Sequence, residues 1–474
     1  MKRLLLLSAF ILHPSSFILA GVDRTQPPKP GPEPKVSFPD FKQDTLPNGL
    51  KVFVVEDHRE PKITMRLLVK AGDAADGTRP GLADTVAGLL NRGTQKRSAE
   101  EFARETDFLG ATVEAGSGPD ATTVQVNGLM KDLPKLLDLF TDAALHPVFP
   151  PAELAKQQRQ AISALEQSKQ TPSVLAAKLR GKLLYGQDHP YGAFATEESL
   201  AGLTHDDLAR FHAQYFSPDN ATLAVVGDFK TADVLPLVEK AFTDWKVAPT
   251  DAARVPTFPD PPKVPGTLTI NLVDRPGSVQ SNVLVCGKGV PRDNPDVPEI
   301  GVLNSILGGG FSGRLFQNLR ERHGYTYGSS SGFAMNRVTG IFSASAEVRN
   351  AVTAPAIEEI LNEVRRLDAE PVPDPELDMQ RQYLAGNYLL SLENPGVVAS
   401  RVQEIDLYKL PVDYFKTYAS RVGKVSVDKI KELAGKYIRP DGLTVIVVGE
   451  AKEIQPALEK LGPVTVYDTD LKAK

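Results

Sequence analysis

The sequence predicts an α+β fold made of two homologous α/β sandwich domains, each an antiparallel sheet packed with helices. The first observation behind this is a repeat. Ser217-Pro218-Asp219 leads into the apolar run Ala221-Thr222-Leu223-Ala224-Val225-Val226-Gly227, and Arg439-Pro440-Asp441 leads into Leu443-Thr444-Val445-Ile446-Val447-Val448-Gly449, 222 residues later (449 against 227). That offset far exceeds a solenoid period and marks duplication of a whole domain. The second observation is that runs of strand pattern alternate with runs of helix pattern, without the regular strand-helix rhythm of a parallel sheet. The third is length. With 474 residues, 41% apolar and 24% charged, the chain suits a globular protein of at least two domains.

Taken in order, Leu50 to Val55 and Ile63 to Val69 have strand character. Leu82, Val86, Leu89 and Leu90 fall at helical spacing. Ala111 to Gly128, interrupted at Gly116-Ser117-Gly118-Pro119-Asp120, reads as a hairpin with a five-residue turn. Helical spacing returns at Leu133, Leu136, Leu137 and Phe140 and runs across Ala152 to Gln167. In the second half, Gly308-Gly309-Gly310 separates a helix around Glu299 to Leu307 from one beginning near Ser312.

The ends and joints read differently. Lys2 and Arg3 precede the apolar runs Leu4 to Leu12 and Phe17-Ile18-Leu19, which end at Ala20-Gly21. This is the pattern of a secretory signal over residues 1–20, so export to the periplasm or beyond is expected. His13-Pro14-Ser15-Ser16 breaks the run before it reaches the roughly 20 apolar residues of a membrane span. Residues 21–39 carry Pro27, Pro28, Pro30, Pro32, Pro34 and Pro39 and read as a tether, and 249–265 as a proline-rich joint. The expected domains are therefore 40–248 and 266–467. Cys286 is the only cysteine, which excludes an intramolecular disulfide framework and a thiolate zinc site. A net charge of −5 without a long basic run argues against a nucleic-acid partner.

The segment Gly81 to Thr94 resembles the metal-binding helix of an inverted zinc-peptidase motif, His-x-x-Glu-His, with its three chemical residues replaced by Asp84, Ala87 and Gly88. Such a helix needs two imidazoles one turn apart for zinc and a carboxylate to take a proton from metal-bound water. Asp84 offers one carboxylate, Ala87 no base and Gly88 no side chain. The seven histidines include no pair at i, i+4. His205 and His212 are spaced two helical turns apart and read as surface residues of one helix, and His189 as structural.

These pieces belong to a longer pattern: Leu46-Pro47-Asn48-Gly49-Leu50, Gly72, Gly81-Leu82-Ala83, Arg92-Gly93-Thr94, His189-Pro190-Tyr191-Gly192, and Leu307 to Phe316 with Leu319-Arg320-Glu321 behind it. Over roughly residues 40 to 465 the chain resembles the pitrilysin/insulinase family of zinc peptidases, in particular two-domain subunits like those of mitochondrial processing peptidase and its bacterial relatives. The resemblance implies a third zinc ligand, a glutamate, from the stretch Glu153 to Ile162, where Lys156 and Gln158 stand at the expected acidic positions. It also matches Arg320, toward the end of a helix, and Tyr327, at the start of a strand, to an arginine–tyrosine pair that holds substrate backbone or the scissile carbonyl oxygen. A guanidinium fork and a phenol donor suit that task. The reading of these two residues without the family is a surface ion pair for Arg320 and core filling for Tyr327. Gly308, Gly309 and Gly310 match a glycine-rich substrate-recognition loop that is longer in the family.

The resemblance therefore implies a non-catalytic, substrate-binding subunit of a heterodimeric zinc endopeptidase acting on peptides or unfolded segments. This chain would bind no cofactor, and zinc would sit in a partner with an intact His-x-x-Glu-His helix. Two alternatives stay open: a structural subunit like the core proteins of respiratory complexes, and an active peptidase with a displaced metal site.

Overall fold

The two matching apolar runs become central strands of two six-stranded sheets in a computed structural model that describes residues 37–186, 188–248, 256–262 and 266–474. The expected export signal, most of the tether and most of the 249–265 joint lie outside the described residues. The first sheet contains β1 (Lys42–Thr45), β2 (Lys51–Glu56), β3 (Lys62–Val69), β4 (Thr112–Ser117), β5 (Thr122–Leu129) and β6 (Ala221–Gly227), in the order β1-β2-β6-β3-β5-β4. The second contains β7 (Thr269–Asp274), β8 (Gln280–Lys288), β9 (Ser329–Met335), β10 (Gly340–Arg349), β11 (Leu443–Gly449) and β12 (Val464–Tyr467), in the order β12-β7-β11-β8-β10-β9.

Five strands of each sheet correspond one to one. β2 pairs parallel with β6, as β7 does with β11, and the remaining ladders of both sets are antiparallel. The sheets are thus mixed and not purely antiparallel as expected. A strand that returns after a long helical crossover can enter parallel, which a hairpin cannot. The sixth strand breaks the symmetry: β1 runs antiparallel to β2, whereas β12 runs parallel to β7. The hairpin between β4 and β5 is tighter than expected. Ser117 pairs with Thr122, and Gly118 N donates to Ala121 O at 3.0 Å, leaving a four-residue turn from Gly118 to Ala121.

The helices of the first half are α1 (Leu82–Leu89), α2 (Ala99–Phe108), α3 (Leu133–Leu145), α4 (Pro151–Ser168), α5 (Pro172–Leu184), α6 (Glu197–Ala201), α7 (His205–Tyr215) and α8 (Thr231–Phe242). Those of the second are α9 (Val297–Gly308), α10 (Arg314–Phe316), which continues as a π-helical turn through Arg322, α11 (Thr353–Ala369), α12 (Asp374–Ser391), α13 (Pro395–Leu407), α14 (Tyr414–Gly423), α15 (Val427–Tyr437) and α16 (Ala451–Leu458). Local chemistry starts several of them. Ser98 and Glu101 form a reciprocal capping box at α2, and Thr204 and Asp207 do so at α7.

β6 and β11 are buried at every position, which requires cover on both faces. One face meets helices of its own half; the other meets a helix lent by the opposite half. Leu175, Leu179 and Leu184 of α5 cluster with Leu284, Cys286, Ile446 and Val448 of the second sheet. In return α13 lies on the first sheet, where the Gln403 amide donates to the carbonyls of Arg66 and Thr222 at 2.8 Å each. Asp406 of the same helix is ion-paired by Lys51 and Lys70. The two hairpin turns also meet, since Arg337 N donates to Asp120 Oδ2 at 2.8 Å. Phe38–Lys474 is consequently one packed unit.

Gly227 ends β6 where a side chain has no room. A Cβ there would stand 2.3 Å from the carbonyl oxygen of Lys62 on the neighbouring strand. Gly227→Ala is expected to lower stability by about 2–4 kcal/mol, because backbone must shift in the middle of the sheet. Urea unfolding of the variant against the parent chain measures this. No helix among the described residues is long and apolar enough to cross a membrane.

Candidate functional site

The degenerate motif lies on α1, whose start is fixed by Gly81 in a left-handed conformation (φ 96°) and by Asp76. The Asp76 carboxylate accepts from Gly81 N at 2.7 Å and Ala83 N at 2.8 Å, which satisfies free amides of the first turn. Burial nevertheless pushes this carboxyl up to about 7, against the pull of those amides. Leu82, Val86, Leu89 and Leu90 turn into the core as their spacing predicts.

The other face of α1 borders a cleft of about 730 Å³ lined by Asp73, Asp84, Ala161, Ala164, Ser168 and Lys178, among others. Asp84 reaches this cleft, and desolvation by the surrounding walls, with the charge of Asp73 added, raises its carboxyl above the usual range. Ala87 is buried in packing. Gly88 is covered by Gln157 of α4, whose amide nitrogen stands 2.5 Å from where a Cβ on Gly88 would be. The space that a second histidine needs is occupied.

The facing helix corrects one expectation. Lys156 points away and lies 3.9 Å from Glu153, and Gln158 donates to the carbonyls of Leu200 and Leu203 at 2.9 Å each. Gln157 meets α1, while Ala161 and Ala164 line the cleft, a set spaced for one helix face. Their chemistry is as poor in metal donors as that of the residues expected there. Zinc does not fit: Asp84 is the one oxygen donor on the motif, and among the described residues no three His, Cys, Asp or Glu side chains group to hold a metal ion. Gly88→His in particular would drive an imidazole into Gln157.

The histidines have other work. His212 is half-buried and not on the open surface as expected: its Nε2 lies 2.9 Å from the Ala144 carbonyl, it stacks on Phe216, and burial drives its pKa down to about 4. A neutral ring donating through Nε2 is the form that fits. His205 stays exposed at the start of α7. His189 is buried beside Tyr185 and accepts from Tyr191 N at 3.1 Å, a structural position on the cleft wall.

The C-terminal candidates stand apart from this cleft. Arg320 sits in the π-helical turn after α10, half-exposed, with its guanidinium 4.9 Å over the Phe316 ring and 3.7 Å from Glu321. Tyr327 precedes β9 by two residues and is 90% exposed, so it does not fill the core. Gly308 and Gly309 are closed in by backbone: a Cβ would meet Ser331 N at 2.5 Å and Ser305 Cα at 2.6 Å respectively. Gly310 takes a positive φ of 157°, and Phe311 after it is exposed. The glycine triplet thus has a packing reason besides any part in recognition.

Asp73, Asp76, Gln157 and Lys178 escaped the sequence reading. Only Asp76 carried a signal, an acidic residue just ahead of a helix start.

Two family models match successive parts of the chain: insulinase (peptidase family M16) over residues 51–188, and the peptidase M16 inactive domain over 202–384. The chain belongs to the insulinase family. Within that family it is 23% identical over 407 residues to a protein of Bacillus subtilis named as the uncharacterized zinc protease YmxG, covering 85% of this chain and 96% of that one. A Streptomyces coelicolor protein, also named as an uncharacterized zinc protease, is 25% identical over 428 residues, covering 87% and 90%. The crystal structure of a peptidase M16 inactive domain from Pseudomonas fluorescens superposes with a TM-score of 0.80 at 25% identity, covering 86% of this chain and 98% of that chain. A protease from Helicobacter pylori has the same fold, with a TM-score of 0.80 at 21% identity over 86% and 99%.

Asp76 gives the insulinase-family cleft a pH signature. The unfolded carboxyl loses its proton near 4, whereas the folded one keeps it up to about 7. Its contribution is therefore fully present below about pH 4 and is lost as pH rises toward 7. Relative to Asp76→Asn, the parent chain is expected to lose stability between pH 5 and pH 7.5, read as the change in Tm difference between the two proteins.

Proposed function

We propose that this chain is the non-catalytic, substrate-binding subunit of a heterodimeric insulinase-family zinc endopeptidase that acts on peptides or unfolded protein segments outside the cytoplasm. The observation that carries this reading is the division between the two candidate sites. The α1 face has lost its metal donors and Gln157 fills the vacated space, whereas Arg320 and Tyr327 reach solvent with little to hold them in place. A pair so exposed, joined to no metal site of its own, suits work in an active site supplied by a partner. The partner brings zinc and the general base; this chain brings a guanidinium and a phenol.

The sheet edges support the same reading. β4 and β9 are terminal strands of their sheets, the position at which an extended peptide adds to a sheet, although the Asn91 amide already donates to the Val113 carbonyl of β4. The N-terminal pattern at residues 1–20 is the basis for export.

The test is reconstitution. The chain alone, a family member carrying His-x-x-Glu-His from the same cell, and their mixture are assayed for bound zinc and for cleavage of an unstructured peptide. Zinc and cleavage are expected only where the partner is present, with faster cleavage in the mixture. Stoichiometric zinc with cleavage by the isolated chain would overturn the reading.

A further inference from the structure

The duplication extends to a pair of side chains that line a second cavity. In the first half Lys178 of α5 reaches Ser168 Oγ at 3.4 Å at the edge of the peptidase-like cleft. In the second half Arg401 of α13 donates to Ser391 Oγ at 2.8 Å, 223 residues further on in each case (391 against 168, 401 against 178). Ser391 and Arg401 line a cavity of about 550 Å³ between α9, α12, α13 and α14, with β9 as a further wall. It is the twin of the first cleft, within the size range of small-ligand sites.

Its chemistry has diverged. Where Asp73, Asp76, Asp84 and Asp188 line the first cleft, the second is walled by Phe333, Tyr388, Phe415 and Tyr418. Tyr388 replaces Leu165 of the first half (388 against 165). Glu404 is the carboxylate lining the cavity, and it is taken by Arg292 at 2.8 Å. Arg401 lies over the rings of Tyr388 and Phe415, at 4.4 and 5.6 Å, and bonds to the neutral Ser391 hydroxyl. Its Nη1 is buried and has no hydrogen-bond partner among the described residues. A guanidinium held by aromatic faces and one hydroxyl has no carboxylate bonded to it among the described residues, and a buried charged donor without an acceptor is costly.

We propose that this C-terminal cavity binds a carboxylate carried on an apolar or aromatic body, with Arg401 and Ser391 taking the carboxylate and the aromatic walls taking the body. A guanidinium fork matches a carboxylate in shape as well as charge. Two sources share this chemistry: a free organic acid, and the C-terminal residue of a peptide. The site lies within this chain, so it does not depend on a partner or on the proposed role in proteolysis.

The experiment is calorimetric titration of the full isolated chain with N-acetylphenylalanine, its amide, 3-phenylpropionate and N-acetyl-Ala-Ala-Phe. The acid is expected to bind at least about tenfold more tightly than the amide, and Arg401→Met to remove that difference. Gly301→Leu serves as a second variant that does not touch Arg401. Gly301 lines the cavity, and a Cβ there meets nothing closer than the Tyr418 hydroxyl at 3.7 Å, so the longer side chain can fill the space. It is expected to abolish binding of all four probes with the fold retained by circular dichroism. Tighter binding of the tripeptide than of phenylpropionate assigns the site to peptide C-termini, and the reverse order to free acids. Equal affinity for acid and amide, no heat in the millimolar range, or unchanged binding in Gly301→Leu overturns the proposal.

Discussion

Replacing Gln403 by alanine is expected to lower the unfolding free energy by about 3–5 kcal/mol, among the largest effects of any single truncation in this fold. Gln403 is fully buried on α13, the helix that the second half places on the first sheet. Its amide satisfies the carbonyls of Arg66 and Thr222, and its oxygen accepts from the Arg66 guanidinium. Burial already works against the charge of Arg66, drawing its pKa below the usual arginine value. The truncation leaves the Arg66 guanidinium without this acceptor, takes a second bond from each of two carbonyls that also belong to the β3–β6 ladder, and opens a cavity as well. The unsatisfied guanidinium costs about 1–3 kcal/mol, with a further cost for lost packing and for the two second bonds. Urea unfolding measures the loss; a change below about 1 kcal/mol would mean that water replaces the side chain. Gln403→Leu separates the contributions, since it restores most of the volume and none of the hydrogen bonds.

That contact also marks where the sequence stops being readable. The repeat ending at Gly227 and Gly449 predicts two equivalent central strands, and β6 and β11 are those strands. Periodicity locates α1, α3 and α4 because one apolar face of each meets the core of its own half. It does not tell which sheet covers an apolar face. Leu175, Leu179 and Leu184 pack on the second sheet although α5 belongs to the first half, and nothing in their spacing separates the two destinations. The parallel entry of β6 beside β2 is hidden for a related reason: strand direction follows from the crossover path, not from composition.

The candidate site divides in the same way. The absent ligands at Ala87 and Gly88 are plain in the sequence, because an alanine and a glycine cannot coordinate zinc. The occupant of the empty space is not plain, since it depends on helix phase across two elements. A shift of one residue turns a side chain by about 100°, which separates Gln157, facing Gly88, from Lys156 and Gln158, facing elsewhere. The Ser391–Arg401 pair was present in the sequence as a repeat of Ser168–Lys178. It acquires meaning only once both pairs are seen to line cavities.

In the mixture with the proposed partner, Arg320→Ala is expected to lower kcat/KM by about 10²–10³, and Tyr327→Phe by roughly tenfold or more. Loss of one donor to a developing oxyanion costs about 2.7–4 kcal/mol in comparable sites, and the phenol supplies one neutral hydrogen bond where the guanidinium supplies a charged fork. Arg320→Lys should recover part of the loss, because lysine keeps the charge and gives up the planar geometry. Folding does not confuse the outcome. Tyr327 is 90% exposed, and the contacts of Arg320 with Phe316 and Glu321 lie on an exposed turn, so Tm is expected to stay close to that of the parent chain. The split between kinetic constants then distinguishes two roles. A fall in kcat with KM unchanged means that the pair acts on the transition state, whereas a rise in KM with kcat unchanged means that it holds substrate backbone equally in ground and transition states. If neither constant moves, the exposed pair takes no part in proteolysis, and the proposed division of labour between two chains fails.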